Sequence, residues 1–351
     1  MLQPNFTFRQ LPQGRNSAWN SKRFIAIQFR PCFEETDCPT HYFFLSELKC
    51  SQTAMSIFRL ARNSYFISFL GSHPLYAFGF SIMFVSIILG LIGPYIVPHS
   101  PTDGVPGHQS LPPSLEYWFG TDSNGMDIFS RVIAAYRYDL LIAFCGALFS
   151  MAIGAPLGVF AGYFDGRRGI AGFVSLLILR FMDVIQAFPI FVLALFLVAV
   201  FRPNFANLVF VIVVTNLPIN LRLARAEALA LREKTFVEAA RATGNSEFRI
   251  AFVHVMPNAM THVVALISVV MGFGILLTAG LSFVGAGLRV PTPEWGLMIS
   301  VGASQMITGK WWASLFPGLF MAITIFGFSM FGQALTALFD PLERVRLGYG
   351  R

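Results

Sequence analysis

The chain has 351 residues, 55% of them hydrophobic and only 12% charged, with 38 phenylalanines and a formal net charge of +7. Soluble domains are about a quarter charged, and the mean hydropathy here is +0.63. A soluble globular enzyme, a disordered chain and a disulfide scaffold are excluded, leaving an integral membrane protein.

Residues 1–54 differ from the rest. Pro4, Pro12, Pro31 and Pro39 are scattered through them with no sustained period, and they lack the apolar core and cleavage site of a signal peptide. Cys32, Cys38 and Cys50 lie here with His41 between them. Their spacing suits zinc poorly, because structural zinc sites use tighter pairs. The stretch is therefore expected to be a disordered tail without a metal, or not to be translated at all. In the second case synthesis starts at Met55, where Arg59 and Arg62 give a short basic approach to the first span.

A helix that crosses the hydrocarbon needs about 20 mostly apolar residues. Residues 77–98 and 140–164 carry no charge and supply the first two spans. A short third run, 184–201, borrows length from 170–182, and 203–221 is the fourth. Two longer uncharged tracts, 250–288 and 311–339, each predict one helix plus a re-entrant or interfacial piece. The expected fold is all-α with about six transmembrane helices. With the N-terminus inside, segments 1–76, 165–183, 222–258 and 340–351 hold 20 of the 25 lysines and arginines, against five outside. That bias places both termini in the cytoplasm and makes 99–139 a periplasmic loop. It also accounts for the basic balance without nucleic acid. Cys145 in the second span reads as a small buried hydrophobe.

Ion-coupled carriers hold ionisable groups inside their spans, and here the spans read as nearly bare. Arg180 and Asp183 edge the third, and His262 stands alone near the start of the fifth, more simply a packing residue than a proton relay. Gly272, Gly274, Gly280, Gly285 and Gly287 crowd the fifth span, which suits either tight packing or a bundle that rocks. Pro156, Pro189, Pro218 and Pro317 are expected to break the helix ladder locally. Trp311 and Trp312, at the outer boundary of the last span, read as an interfacial anchor.

Segment 222–258 carries the strongest signal, reading as helix with six lysines and arginines. Thr235 to Glu238 fits a capping box. Ala239, Ala240 and Ala242 favour helix. Gly244 suits a stop with positive φ, and Asn245 or Ser246 can cap a second helix whose apolar stripe is Phe248, Phe252 and Val255. Pro257 ends that second piece before the fifth span. Two short helices bent at a glycine make a knob for a partner's groove.

These residues resemble the EAA loop of ABC importer permeases: Glu238, Ala239, Ala240, Gly244 four residues on, then Met256 and Pro257. His254 and Met256 replace the usual isoleucine and leucine, a pattern closer to the dipeptide and oligopeptide branch. Phe119, Gly120, Thr121 and Asp122 with Gly125, Asp127, Ser130 and Arg131 are similar to that branch's outer-loop signature. The run from Gly280 to Gly285, the run from Pro291 to Gly296, and Asp340 with Pro341 are similar to its later segments. Met126 departs from the usual arginine, so a charge contact in that loop is expected to be missing.

The resemblance implies the permease subunit of an ATP-driven peptide importer in the bacterial inner membrane. A second permease, two cytoplasmic ATP-binding subunits and a periplasmic solute-binding protein would be its partners. Glu238, Ala239, Ala240, Gly244 and Pro257 would couple it to the ATPases. ATP and magnesium would be used by those subunits and no cofactor by this chain, which has no phosphate loop: Trp311 follows Gly309 and Lys310 where Ser or Thr is needed. A permease for nickel chelates or another small oligopeptide-like solute is an alternative, as is a stand-alone channel or secondary carrier.

Overall fold

The computed structural model describes residues 69–71 and 73–339. Residues 1–54, Met55 and the 340–351 tail with Asp340 and Pro341 lie outside them, and so do the expectations attached to them. Among the described residues the only strand-like pairing is one isolated bridge, Thr121 with Asp127.

The helices in chain order are α1 (Pro74–Ile96), α2 (Ile128–Tyr163), α3 (Ile170–Gln186), α4 (Ile190–Phe201), α5 (Phe205–Arg232), α6 (Thr235–Ala242), α7 (Glu247–Phe283), α8 (Trp295–Met306) and α9 (Trp312–Phe339). α1, α2, α5, α7 and α9 are each long and apolar enough to cross a membrane. α3 and α4 meet that test only as a pair bent by 90°, so the third expected span is a broken one. Pro189 is responsible: its backbone is extended (φ −55°, ψ 128°) at the start of α4, and a proline ring disfavours helix in the residue before it. Pro156, Pro218 and Pro317, by contrast, lie within continuous helices. Around Pro218, side chains attend the backbone, with Thr215 donating to Val211 O at 2.8 Å and Asn216 to Ile212 O at 2.9 Å.

α2 and α5 form the centre of the bundle. Gly146, Gly154, Gly158 and Gly162 lie on one face of α2, and a Cβ on Gly158 would stand 2.3 Å from Leu221 O of α5. On Gly162 it would stand 2.5 Å from Arg225 O. Small residues at this spacing let two backbones meet. In the fifth span, by contrast, Gly272 and Gly274 have no neighbour nearer than 3.6 Å, and Gly280 meets only the Phe191 ring, at 3.0 Å.

Both long uncharged tracts hold a single helix, and the short extra piece, α8, lies between them. Glu294 starts it, accepting from Gly296 N and Leu297 N at 2.9 Å each, and the piece falls outside the uncharged tracts because Arg289 ends the first and Lys310 precedes the second. The buried Trp295 indole donates to Val132 O at 3.2 Å, and its backbone N–H donates to Asp139 Oδ2 at 3.1 Å. α8 is thus bolted to α2 by a tryptophan. Burial, in a pocket shared with Asp139, pushes the Glu294 carboxyl above the ordinary range.

The loop before α2 folds over this end. Asp127 caps α2 through Ser130 N at 3.0 Å. Met126 is buried against Arg131, whose guanidinium also donates to Pro101 O at 2.9 Å and stands 3.9 Å from Asp122. A cation therefore does occupy the loop, supplied from α2, despite the methionine. Of the two tryptophans, Trp311 is half exposed while Trp312 turns inward, its indole 3.4 Å from Thr121 O. Cys145 is half-buried beside the α2–α5 core.

Candidate functional site

The opposite, basic end of the bundle carries α6. The helix is too short to be stable alone and is held by two groups of contacts. Val237 is fully buried and Ala240 packs against the same apolar cluster as Tyr163, Phe164, Ile250 and Val255. Its far end closes in a Schellman motif, with Gly244 N donating to Arg241 O at 2.9 Å and Asn245 N to Ala240 O at 3.3 Å. Gly244 adopts φ +81° there, as its place in the sequence predicts.

The capping box does not form. Lys234 occupies the N-cap position and offers no side-chain cap, so Thr235 is already the first helical residue and Glu238 falls one position too late to reach back. Glu238 is exposed and makes no hydrogen bond or ion pair among the described residues. Ala239 and Gly244 are exposed as well, whereas Ala240 is half-buried.

The second short helix is likewise different from expectation. Ser246 caps it, accepting from Arg249 N at 3.4 Å, but three residues later the chain widens into a π-turn over Ile250–Val255 and continues into the span. Pro257 does not end the piece. The π-turn shifts the hydrogen-bond register just before it, so its missing N–H and its ring meet a relaxed ladder. The same turn rotates the apolar stripe. Ile250, Ala251 and Val255 face inward, while Phe248 and Phe252 are exposed in part, Phe248 resting on Phe164 with ring centres 5.0 Å apart.

A polar clamp joins this knob to the bundle. Glu247, at the start of α7, accepts from the Tyr163 hydroxyl of α2, from Arg241 Nε of α6 at 3.1 Å, and pairs with Arg167 Nη1 at 2.9 Å. Arg167 also lies over the Tyr163 ring, 4.7 Å from its centre. The hydrogen bond to Tyr163, with Glu247 behind it, holds the Arg241 guanidinium above its ordinary pKa, so it stays cationic. Beside the clamp, Arg225 pairs with Asp165 at 2.9 Å and Arg232 donates to Asp165 O at 3.1 Å, fixing the end of α5 to the end of α2. Arg241 and Glu247 are six residues apart, but Tyr163 and Arg167 reach Glu247 from about 80 residues away, and Arg225 and Arg232 reach Asp165 from 60 or more, so no spacing pattern announces the clamp.

The clamp groups are each about a third exposed, so each pair contributes at most about 1 kcal/mol. Glu247→Ala is expected to leave the protein abundant but to raise amide hydrogen exchange across 235–244 about fivefold, the equivalent of about 1 kcal/mol. Unchanged exchange in that segment would assign its order to Val237 and Ala240 alone.

Two groups refine the reading of bare spans. His262 is paired with Glu227 at 3.3 Å, a partner hidden because α5 runs about three turns beyond the expected end of the fourth span. Asp139, expected at the end of a loop, is buried in α2. Among the described residues no three His, Cys, Asp or Glu side chains gather as metal ligands.

Residues 154–345, which include α6 and the clamp, match the family described as binding-protein-dependent transport system inner membrane component. The dipeptide transport system permease protein DppC of Alkalihalophilus pseudofirmus is 35% identical over 263 residues, covering 75% of this chain and 84% of that protein. The probable D,D-dipeptide transport system permease protein DdpC of Escherichia coli K12 is 32% identical, covering 78% and 89%. The glutathione transport system permease protein GsiD of Pectobacterium atrosepticum is 35% identical, covering 65% and 74%.

Proposed function

Since the chain belongs to the family of binding-protein-dependent transport system inner membrane components, a family of bacterial inner-membrane transport permeases, we propose that it is the translocating subunit of an ATP-driven importer of short peptides. The names of its relatives support the substrate class, dipeptides and glutathione among them. A nickel chelate or another oligopeptide-like solute is the nearest alternative. The basic end faces the cytoplasm, as the lysine and arginine bias indicates, and the α8 end faces the periplasm.

The observation that carries the coupling proposal is α6 itself. Its Glu238 is exposed and uncommitted, and it stands on a helix anchored at Val237 and clamped through Arg241 to Glu247. Glu238, Ala239, Ala240 and Gly244 form the part that docks into an ATP-binding subunit. The alanines keep the surface shallow and Gly244 turns the chain back. Pro257 acts indirectly, by marking the π-turn through which α6 meets α7. Two such subunits, using ATP and magnesium, would move the knob, and the clamp passes that movement to α2, α5 and α7. A ligand that binds one conformation better shifts the population toward it, so ATP does the work without gradient-coupling acids.

A second permease is supported by α3 and α4. They leave Ile170, Phe173, Leu177, Phe181 and Phe196 at least half exposed, as a broken span would if another subunit covered it. Beside α8, Leu115, Trp118 and Ile307 are exposed at the end that would receive a solute-binding protein.

Gentle purification of the tagged protein from its native membrane tests the assembly. An ATP-binding protein and a second permease in stable ratio are expected. A chain that elutes alone across several detergents and salt concentrations would contradict the importer reading in favour of a channel or carrier.

A further inference from the structure

A groove of about 820 Å³ opens between α1, α2, α7 and α9. It exists because α1 packs against α2 and α9, with Gly93 on Ile133 and Gly79 on Met330, and leaves a gap over α7. The wall is almost wholly apolar. Leu91, Leu141 and Phe144 are exposed along its mouth, and Val264 and Leu335 line it toward the basic end.

Arg137 is the one charged residue of the lining, beside the polar Tyr95, Tyr136 and Ser268. It is exposed, lines the groove toward the α8 end, and has no ion pair or hydrogen bond among the described residues. Its neighbour Tyr136 meets α1 at Gly90, six residues before the end of that helix, so Arg137 lies about 9 Å below it at 1.5 Å per residue. A cation at that depth on a lipid-facing surface is costly unless its head reaches the interface and an anion. A guanidinium takes a phosphate in bidentate fashion. The order along the groove, a free cation near the interface and then apolar wall toward the membrane centre, is the order of headgroup and tail in a phospholipid. An occupying protein helix would have to supply a carboxylate at this depth. We propose that the groove binds one phospholipid of the leaflet on the α8 side, its phosphate on Arg137 and an acyl chain along Leu91 and Phe144. The proposal goes beyond the transport reading and does not depend on it.

The test uses the assembled transporter in nanodiscs with a trace of phosphatidylglycerol carrying a photoreactive acyl chain, the labelled peptides being mapped by mass spectrometry. Label on α1 and α2 around Leu91 and Phe144 is expected. Arg137→Gln should lower it about fivefold, the loss expected for one cation near a lipid phosphate. Arg137→Lys should retain most of it, and Leu91→Trp, which fills the groove and spares the cation, should lower it too. Equal labelling of wild type and Arg137→Gln would overturn the proposal. So would a photoreactive residue placed at Leu91 that crosslinks in native membranes to a protein, whether the second permease or residues 1–68 of the same chain.

Discussion

Replacing Glu238 with lysine is expected to abolish peptide uptake while the protein remains inserted and as abundant as wild type. The side chain supports nothing within the chain: it lies one position too late for a cap and has no partner among the described residues. Folding is therefore indifferent to it, and a reversed charge acts only at the docking face. Like charges brought together at an interface cost several kcal/mol, so uptake should fall by more than about tenfold. Gly244→Pro should do the same by another route. Its φ of +81° is closed to a ring that fixes φ near −65°, and its N–H to Arg241 O would be lost. Radiolabelled dipeptide uptake, read against membrane abundance, checks both, and normal uptake by the two variants would remove α6 from the coupling role.

The second large effect lies in the bundle. Gly158→Val is expected to prevent accumulation of folded protein. Its Cβ would lie 2.3 Å from Leu221 O and 2.8 Å from the Ala224 Cβ, and neither the backbone nor a methyl on a rigid helix can swing aside. α2 and α5 must separate, unseating the whole glycine face. Overpacking costs about 1–3 kcal/mol where side chains can adjust and more where they cannot, a large share of a total stability of about 5–15 kcal/mol. Gly272→Ala is the control, because its nearest neighbour stands at 3.6 Å and room remains. Fluorescence-detected size-exclusion chromatography should show a lost or aggregated peak for the first variant and a normal one for the second.

The sequence disclosed what depends on local composition. The first, second, fourth, fifth and sixth spans lie where uncharged runs put them; Gly244, lacking a Cβ, ends one helix at positive φ, and the Ser246 hydroxyl caps the start of the next. It misled where a helix outran its hydrophobic stretch. α5 continues through Arg222, Arg225 and Arg232, whose charges look like loop but are paired with Asp183, Asp165 and Glu233. Likewise α2 begins at Ile128, twelve residues before the uncharged run, because Asp127 caps it and α8 covers it. The capping box failed by one register position. The Tyr163 and Arg167 side of the Glu247 clamp and the Glu227–His262 pair stay hidden because their members meet only in three dimensions, from different helices. The glycine face of α2 was legible in principle: Gly154, Gly158 and Gly162 recur every four residues. The denser glycines of the fifth span drew the expectation away from it.

If α6 docks an ATP-binding subunit, its exposed face touches that subunit in the membrane while the buried Val237 does not. Single cysteines in a cysteine-free, active background at Glu238, Ala239 and Val237, crosslinked in native membranes with a short bifunctional reagent, test it most directly. Positions 238 and 239 should join to the ATP-binding subunit and the buried 237 should not, with the yield changing when a non-hydrolysable ATP analogue is added. No crosslink from 238 or 239, in membranes that still take up peptide, would contradict the account.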